Sequence, residues 1–280
     1  MDPLVFFGVL AAAAMHAGWN SVVKTRIDGF VSVTVITAMG GIISLMLLPF
    51  AELPSGTVWL WLMFSVLLHT GYKLFLVGAY RLGDLGQVYP LARGAAPLIV
   101  AMVSLLFLHE GLSPSSILGI CVLVGGIWIM SLRGGRHVQR LDRATVGFAI
   151  GTSCFIAGYT LVDGLGARLA PSATSYALCL FIFDAVVFTI VFVARRGVPG
   201  ILAMQRAWKG GLAGGALSMG AYWIAIWAMT QAPIAAVAAL RETSILFALA
   251  ISTVALKEPL MKWRLMAALL IVCGVVVLRL

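Results

Sequence analysis

The sequence predicts an all-α integral membrane protein of ten transmembrane helices, arranged as two inverted five-helix repeats. Three observations predict it. First, 62% of the 280 residues are hydrophobic and 10% charged, with a mean hydropathy of +1.07. A soluble domain carries about 25% charged residues, so too few polar side chains remain here to cover a surface in water. Second, the apolar residues gather into blocks long enough to cross a hydrocarbon layer. Third, the last forty residues repeat forty from the middle of the chain.

A helix rises about 1.5 Å per residue, so roughly 20 residues cross a ~30 Å hydrocarbon core. The spans expected are 4–23, 31–50, 57–80, 85–108, 115–132, 144–167, 173–194, 209–230, 234–255 and 263–278. Polar and turn residues separate them, among them Glu52-Leu53-Pro54-Ser55-Gly56, Glu110-Gly111-Leu112-Ser113-Pro114, Arg195-Arg196-Gly197 and Lys257-Glu258-Pro259. A membrane β-barrel would alternate polar and apolar residues over ten-residue segments. These runs are apolar all round, and helices fit them. The first span has no basic region before it and nine like it after, so it reads as a helix and not a cleaved signal.

The blocks also order the rest of the chain. The longest connection, 133–144, is basic and too short for a soluble domain. It divides a first repeat, 1–132, from a second, 145–280. Cys121, Cys154, Cys179 and Cys273 lie singly in apolar spans, with no C-x-x-C pair, and read as small packing residues. The formal charge of +9 does not imply nucleic acid, because the cations sit at helix ends.

Laid without a gap on Arg241–Leu280, Arg93–Leu132 matches at nine of forty positions, including Arg93/Arg241, Glu110/Glu258 and Gly126/Gly274. A weaker match sets Ala17-Gly18-Trp19 on Ala157-Gly158-Tyr159. Each half then holds five spans, and an odd number inverts the second half relative to the first. Inverted repeats with a midplane site between the halves are a recurring plan for secondary transporters.

The five-plus-five plan, the blocks from Tyr89-Pro90-Leu91-Ala92-Arg93 to Met130-Ser131-Leu132, and the opening His16-Ala17-Gly18-Trp19-Asn20 resemble the EamA-type, ten-helix branch of the drug/metabolite transporter superfamily. The resemblance implies a secondary transporter of small metabolites, with export favoured over import. In the related small multidrug exporters, a first-helix glutamate binds cations and protons, with a lysine eight residues on. Here Lys24 fits that lysine, but His16 stands where the acid would be. Organic-cation or multidrug export is therefore the second transport reading.

Ionisable groups inside the spans are the candidate site residues, since each costs about 2.5–3.5 kcal/mol at a helix centre on insertion scales. Arg93 and Arg241, related by the repeat, both reach the middle third of the bilayer. Each offers the forked donors that suit a carboxylate or phosphonate. Arg93 is expected to carry the substrate's anionic group, with Tyr89 one turn earlier and Pro97 freeing a backbone carbonyl beside it. In the third span His69, Tyr72, Lys73 and Leu76 share one face, as do His16, Asn20 and Lys24 in the first. Tyr222, Trp223 and Trp227 in the eighth span are candidate pocket walls. His16, His69, Asp184 and Glu242 are candidate proton carriers. Asp163, near a helix end, reads as a structural ion-pair partner.

The enzyme and receptor readings find little support. There is no H-E-x-x-H, G-x-S-x-G or G-x-x-x-x-G-K-[ST], so no metal, cofactor or ATP site is expected. Asp163-Gly164-Leu165-Gly166-Ala167-Arg168 opens like a CDP-alcohol phosphotransferase motif, but Ala177, Phe181 and Ala185 occupy its later metal-binding places. The expected partners are a small metabolite, lipid, and a proton or counter-substrate, with the chain a monomer or homodimer.

Lys and Arg favour the cytoplasmic side of a membrane. Ten spans put both termini on one side, which holds Arg168 and Arg279, while the other holds fourteen Lys and Arg. The charge bias thus places both termini outside the cytoplasm, opposite to many relatives. A fluorescent protein fused after Leu280 should therefore stay dark in cells, and a periplasmic reporter at the same place should be active.

Overall fold

The structure is a computed structural model that describes residues 1–23, 28–82, 93–132, 143–254, 257 and 261–280. Among these, all regular structure is helical. The helices are α1 (Pro3–Val23), α2 (Gly29–Leu47, extended by a 3-10 turn over Leu48–Phe50), α3 (Val58–Leu82), α4 (Ala96–Leu106), α5 (Pro114–Leu132), α6 (Arg143–Leu169), α7 (Ala173–Arg206), α8 (Trp208–Gln231), α9 (Ile234–Arg241), α10 (Ser244–Val254) and α11 (Lys262–Arg279). Local chemistry starts several of them. Asp28 accepts the Phe30 N–H at 2.7 Å to cap α2, and Ser172 accepts the Ser175 N–H at 3.0 Å to cap α7.

Seven described segments are long and apolar enough to cross a membrane, with Ala96–Leu106 and Pro114–Met130 as shorter apolar helices. The sides of α3 show how such a helix divides its surface. Leu60, Met63, Phe64 and Leu67 are exposed on one stripe, the spacing of a lipid-facing side. Ser65 and Lys73 are buried on the other.

The structure departs from the expected spans in three places. The span expected at 234–255 is two helices, α9 and α10, interrupted by turn residues at Glu242 and Thr243. The span expected at 173–194 continues to Arg206, but Gly197 inside it is non-helical (φ 60°, ψ −158°) and Pro199 follows. A left-handed residue before a proline ends one helix and re-aims the next, and glycine adopts that φ without steric cost. Helix α6 begins at Arg143, inside the expected linker 133–144, the rest of which lies mostly outside the described residues.

The helices pair by the logic of the repeat. Helix α3 lies along α6 as α1 lies along α8, while α2 packs on α7 and α5 on α11. The last pair is reciprocal in detail. A Cβ on Gly126 would meet the Ala267 carbonyl and the Ile271 nitrogen, each at 3.0 Å. A Cβ on its repeat mate Gly274 would meet the Gly119 carbonyl at 2.8 Å and the Leu123 nitrogen at 2.5 Å. Gly119 and Leu123 are the repeat mates of Ala267 and Ile271. As α5 advances its contacts run backward along α11, so these two helices are antiparallel. The small residues let the backbones touch, which is how helices gain packing energy in lipid. Two further repeat mates, His109 (φ 49°) and Lys257 (φ 54°), both take left-handed backbone.

Gly274→Val should force the α5 and α11 backbones apart and destabilise the protein by about 3 kcal/mol. The check is its thermal midpoint in detergent beside that of Val275→Ala, a nearby change that adds no bulk at the crossing.

Candidate functional site

A cavity of about 100 Å³ lies between the two halves. Helix α1 supplies His16 and Trp19, α3 supplies His69, Tyr72, Lys73 and Leu76, and α6 supplies Tyr159. Asp184 comes from α7, Tyr222 from α8 and Arg241 from the end of α9. All four residues of the expected α3 stripe thus face one space. A larger hollow of about 670 Å³ between α2 and α7 is lined by apolar side chains and Thr189, and its rim residues Ile42, Leu45, Val186 and Ile190 are exposed on the lipid side. It carries no charge, so the smaller cavity is the candidate site.

Three buried acid–base relations organise the cavity wall. Arg93 reaches across the halves to Glu242, with Nη2 donating to Oε1 at 2.7 Å and Nε to Oε2 at 3.0 Å. Both residues are nearly inaccessible, so this two-pronged pair is formed out of water. Arg93 Nη1 also lies 2.7 Å from His16 Nε2. A guanidinium only donates, so His16 Nε2 accepts there. Trp19 Nε1, also a donor, faces His16 Nδ1 at 3.2 Å. A neutral imidazole has one acceptor nitrogen, and the shorter, charge-assisted contact to Arg93 takes it.

Lys73 Nζ donates to Asp184 Oδ2 and lies 4.7 Å from the Phe188 ring centroid. Asp184 Oδ1, buried, has no hydrogen-bond partner among the described residues. Arg241 is half-buried, and its guanidinium stands over the Tyr222 ring at 4.7 Å. No described acid pairs with it.

The third acid, Asp163, is fully buried on α6 and receives four donors. Ser65 Oγ and Tyr176 Oη (3.0 Å) donate to Oδ1, while His69 Nε2 (3.0 Å) and Tyr222 Oη reach Oδ2. His69 in turn stacks on Tyr159 with ring centroids 4.0 Å apart. Tyr222 therefore joins two charges. Its hydroxyl donates to Asp163, and its ring face receives Arg241.

The other sequence candidates are more dispersed. Asn20 donates to the His16 carbonyl at 2.8 Å within its own helix. Trp223 Nε1 donates to Thr174 Oγ1 at 3.1 Å, and Trp227 packs against Gly8; neither lines the cavity. Tyr89 and Lys24 lie outside the described residues. Sequence reasoning passed over Asp163 as a site residue because it lies six residues before the end of α6. Its importance comes from partners on three other helices.

Outside the cavity, Glu110 braces the second half. Its Oε2 accepts the Ile234 N–H at 3.0 Å at the start of α9, and Oε1 lies 2.7 Å from Arg168 Nη2. Arg168 also donates to the Met229 and Ala232 carbonyls. At the same end, Arg279 lies over the Phe6 ring, which brings the two chain termini to one side of the bundle.

The helical bundle has apolar segments long enough to cross a membrane, exposes large apolar side chains, and holds a charged cavity between its halves. The chain is a member of the EamA-like transporter family, whose profile matches residues 3–132 and again 143–280. It is thus a membrane transporter built from two related halves. A solved structure called only "Crystal structure of protein" superposes with a TM-score of 0.74 over 98% of this chain and 94% of the other. At 16% identity this likeness shows the fold alone. No curated sequence matches the chain.

Removing one member of a buried pair leaves the other charge uncompensated, which costs about 3–5 kcal/mol. Arg93→Ala should lower the thermal midpoint accordingly. The paired change Arg93→Met with Glu242→Leu should recover most of that loss, as read by thermal unfolding in detergent.

Proposed function

We propose that the protein is a secondary active transporter of a small anionic or zwitterionic metabolite, an amino acid or organic acid, in the cytoplasmic membrane. The observation that carries this reading is the pair of incompletely satisfied charges in the cavity. Arg241 offers a guanidinium with no acid partner among the described residues, and Asp184 offers a carboxylate oxygen with none. A substrate carboxylate fits the first and an ammonium group the second. Charged groups lining a cavity with partners left over are ready to replace the hydration shell of such a solute. The cavity volume favours a solute of few heavy atoms over the bulky cations of multidrug exporters, since drug-sized pockets run to roughly 300–1,000 Å³.

In this reading Arg93 and Glu242 hold the two halves together at the helix interruption, and Arg241 meets the substrate. The architecture proposed is ten spans in two inverted repeats, supported by the reciprocal antiparallel contact of α5 and α11. Both termini lie outside the cytoplasm. The cavity serves transport and not catalysis, and the favoured direction is export, driven by an ion gradient or by exchange.

Counterflow in proteoliposomes tests it. Vesicles loaded with unlabelled L-amino acids or carboxylates, one compound each, should accumulate the matching radiolabelled compound for at least one small anion or zwitterion. Arg241→Gln should reduce that accumulation by at least about tenfold, and Arg241→Lys by less, because it keeps the charge and loses the fork. Accumulation of tetraphenylphosphonium in place of every small anion would instead support the organic-cation reading.

A further inference from the structure

We infer that Asp163 is the proton site of this transporter, and that a substrate anion and a proton occupy the protein together. This rests on the reading of Arg241 as the anion's partner. It adds a group that sits one residue behind that contact and touches no substrate.

The argument is one of charge. Besides the histidines, the described charged side chains in and beside the cavity are three bases, Lys73, Arg93 and the half-buried Arg241, and three buried acids, Asp163, Asp184 and Glu242. Arg93 is matched by Glu242, and Lys73 by Asp184, both directly. That leaves Arg241 and Asp163, which balance each other through Tyr222: the hydroxyl donates to Asp163 Oδ2 while the guanidinium rests on the ring. A second anion placed on Arg241 cancels the positive charge that Asp163 faces. The carboxylate is then buried with no countercharge of its own, a condition a carboxyl group relieves by taking a proton.

The groups around Asp163 narrow the route for that proton. From α3, Ser65 and His69 face Asp163, and Lys73 two turns on is committed to Asp184 of α7. From α7 Tyr176 faces it, from α8 Tyr222, and from α9 Arg241 stands beyond the Tyr222 ring. Helix α4 carries no ionisable side chain, and Arg93 ahead of it is held by Glu242. On α6 itself, Tyr159 stacks on His69. Of these groups His69 and Tyr222 both line the cavity and contact Asp163, and His69, whose two ring nitrogens can take a proton on one side and give one up on the other, is the route we assign. A proton from cavity water enters at His69 Nδ1 while the Nε2 proton passes to Asp163 Oδ2. The imidazole stays neutral in its other tautomer, and the new carboxyl O–H donates back to Nε2. The Ser65, Tyr176 and Tyr222 hydroxyls remain donors throughout, so no hydrogen bond is lost.

The consequence is cotransport: a monoanion and one proton move in the same direction without net charge, so an inward proton gradient drives uptake by this route and export by it is driven by the metabolite's own gradient or by exchange. Calorimetric titration of the full-length protein with sodium acetate, in phosphate and in Tris buffer, reads affinity and proton count together. Wild type should take up about one proton per acetate, and its affinity should fall about tenfold per pH unit as pH rises, because the proton is needed for tight binding. Asp163→Asn should bind acetate without proton uptake and without pH dependence. Tyr222→Phe keeps the ring and removes the hydroxyl, so it should take up clearly fewer protons than wild type. It decides the matter if Asp163→Asn does not fold. Acetate binding by wild type with no proton uptake overturns the inference, as does full uptake in Asp163→Asn that His69→Gln then abolishes. If Arg241→Gln binds acetate as wild type does, or wild type binds none, the anion-site reading itself fails.

Discussion

The structure depends on the neutralisation of charge where water is absent. An ionised side chain in hydrocarbon has no solvent to stabilise it, so every buried base must find an acid, a ring face or a polar cavity. Arg93 and Glu242 meet across the two halves, 149 residues apart in sequence, Glu242 at the turn between α9 and α10 and Arg93 two residues before the Ala95 bend. Lys73 and Asp184 tie α3 to α7. These two pairs hold α3, α7 and the helices about α9 around one small space. The third relation, Asp163 through Tyr222 to Arg241, is indirect: the Tyr222 hydroxyl donates to the acid and its ring face receives the guanidinium.

The helix interruptions follow from the same constraint. Glu242 and Thr243 are turn residues between α9 and α10, and Ala95 is the corresponding bend before α4. Backbone that leaves the helix inside a membrane is tolerated only where protein or a polar cavity satisfies it. Here Glu242 stands at the interruption between α9 and α10 and pairs with Arg93, two residues before the Ala95 bend. Away from the site the bundle is held by close backbone packing. The reciprocal glycine crossing of α5 and α11 needs no charge, and it lies where the repeat mates face one another.

Glu110 shows how a residue can belong to the repeat and still act across it. Its carboxylate caps α9 of the other half and meets Arg168 from α6. Its mate Glu258 lies outside the described residues. A charge that recurs at the same place in both halves, beside left-handed backbone at His109 and Lys257, marks a helix end that the fold uses twice.

The sequence by itself determined the solvent, the helices and the repeat. Hydropathy, helix length and turn residues act over one span at a time, and Arg93/Arg241, Glu110/Glu258 and Gly126/Gly274 can be aligned without coordinates. It also drew attention to the α3 stripe of His69, Tyr72 and Lys73, because residues three and four apart share a helix face. Only the tertiary structure decided which acid meets which base. Glu242 follows Arg241 in the chain, yet adjacent helical residues point about 100° apart, and Glu242 joins Arg93 instead. Asp163 looked marginal near its helix end until Ser65, His69, Tyr176 and Tyr222 from three other helices closed around it. Charge pairing is a property of side chains brought together from distant spans, and the order of residues along one span does not contain it.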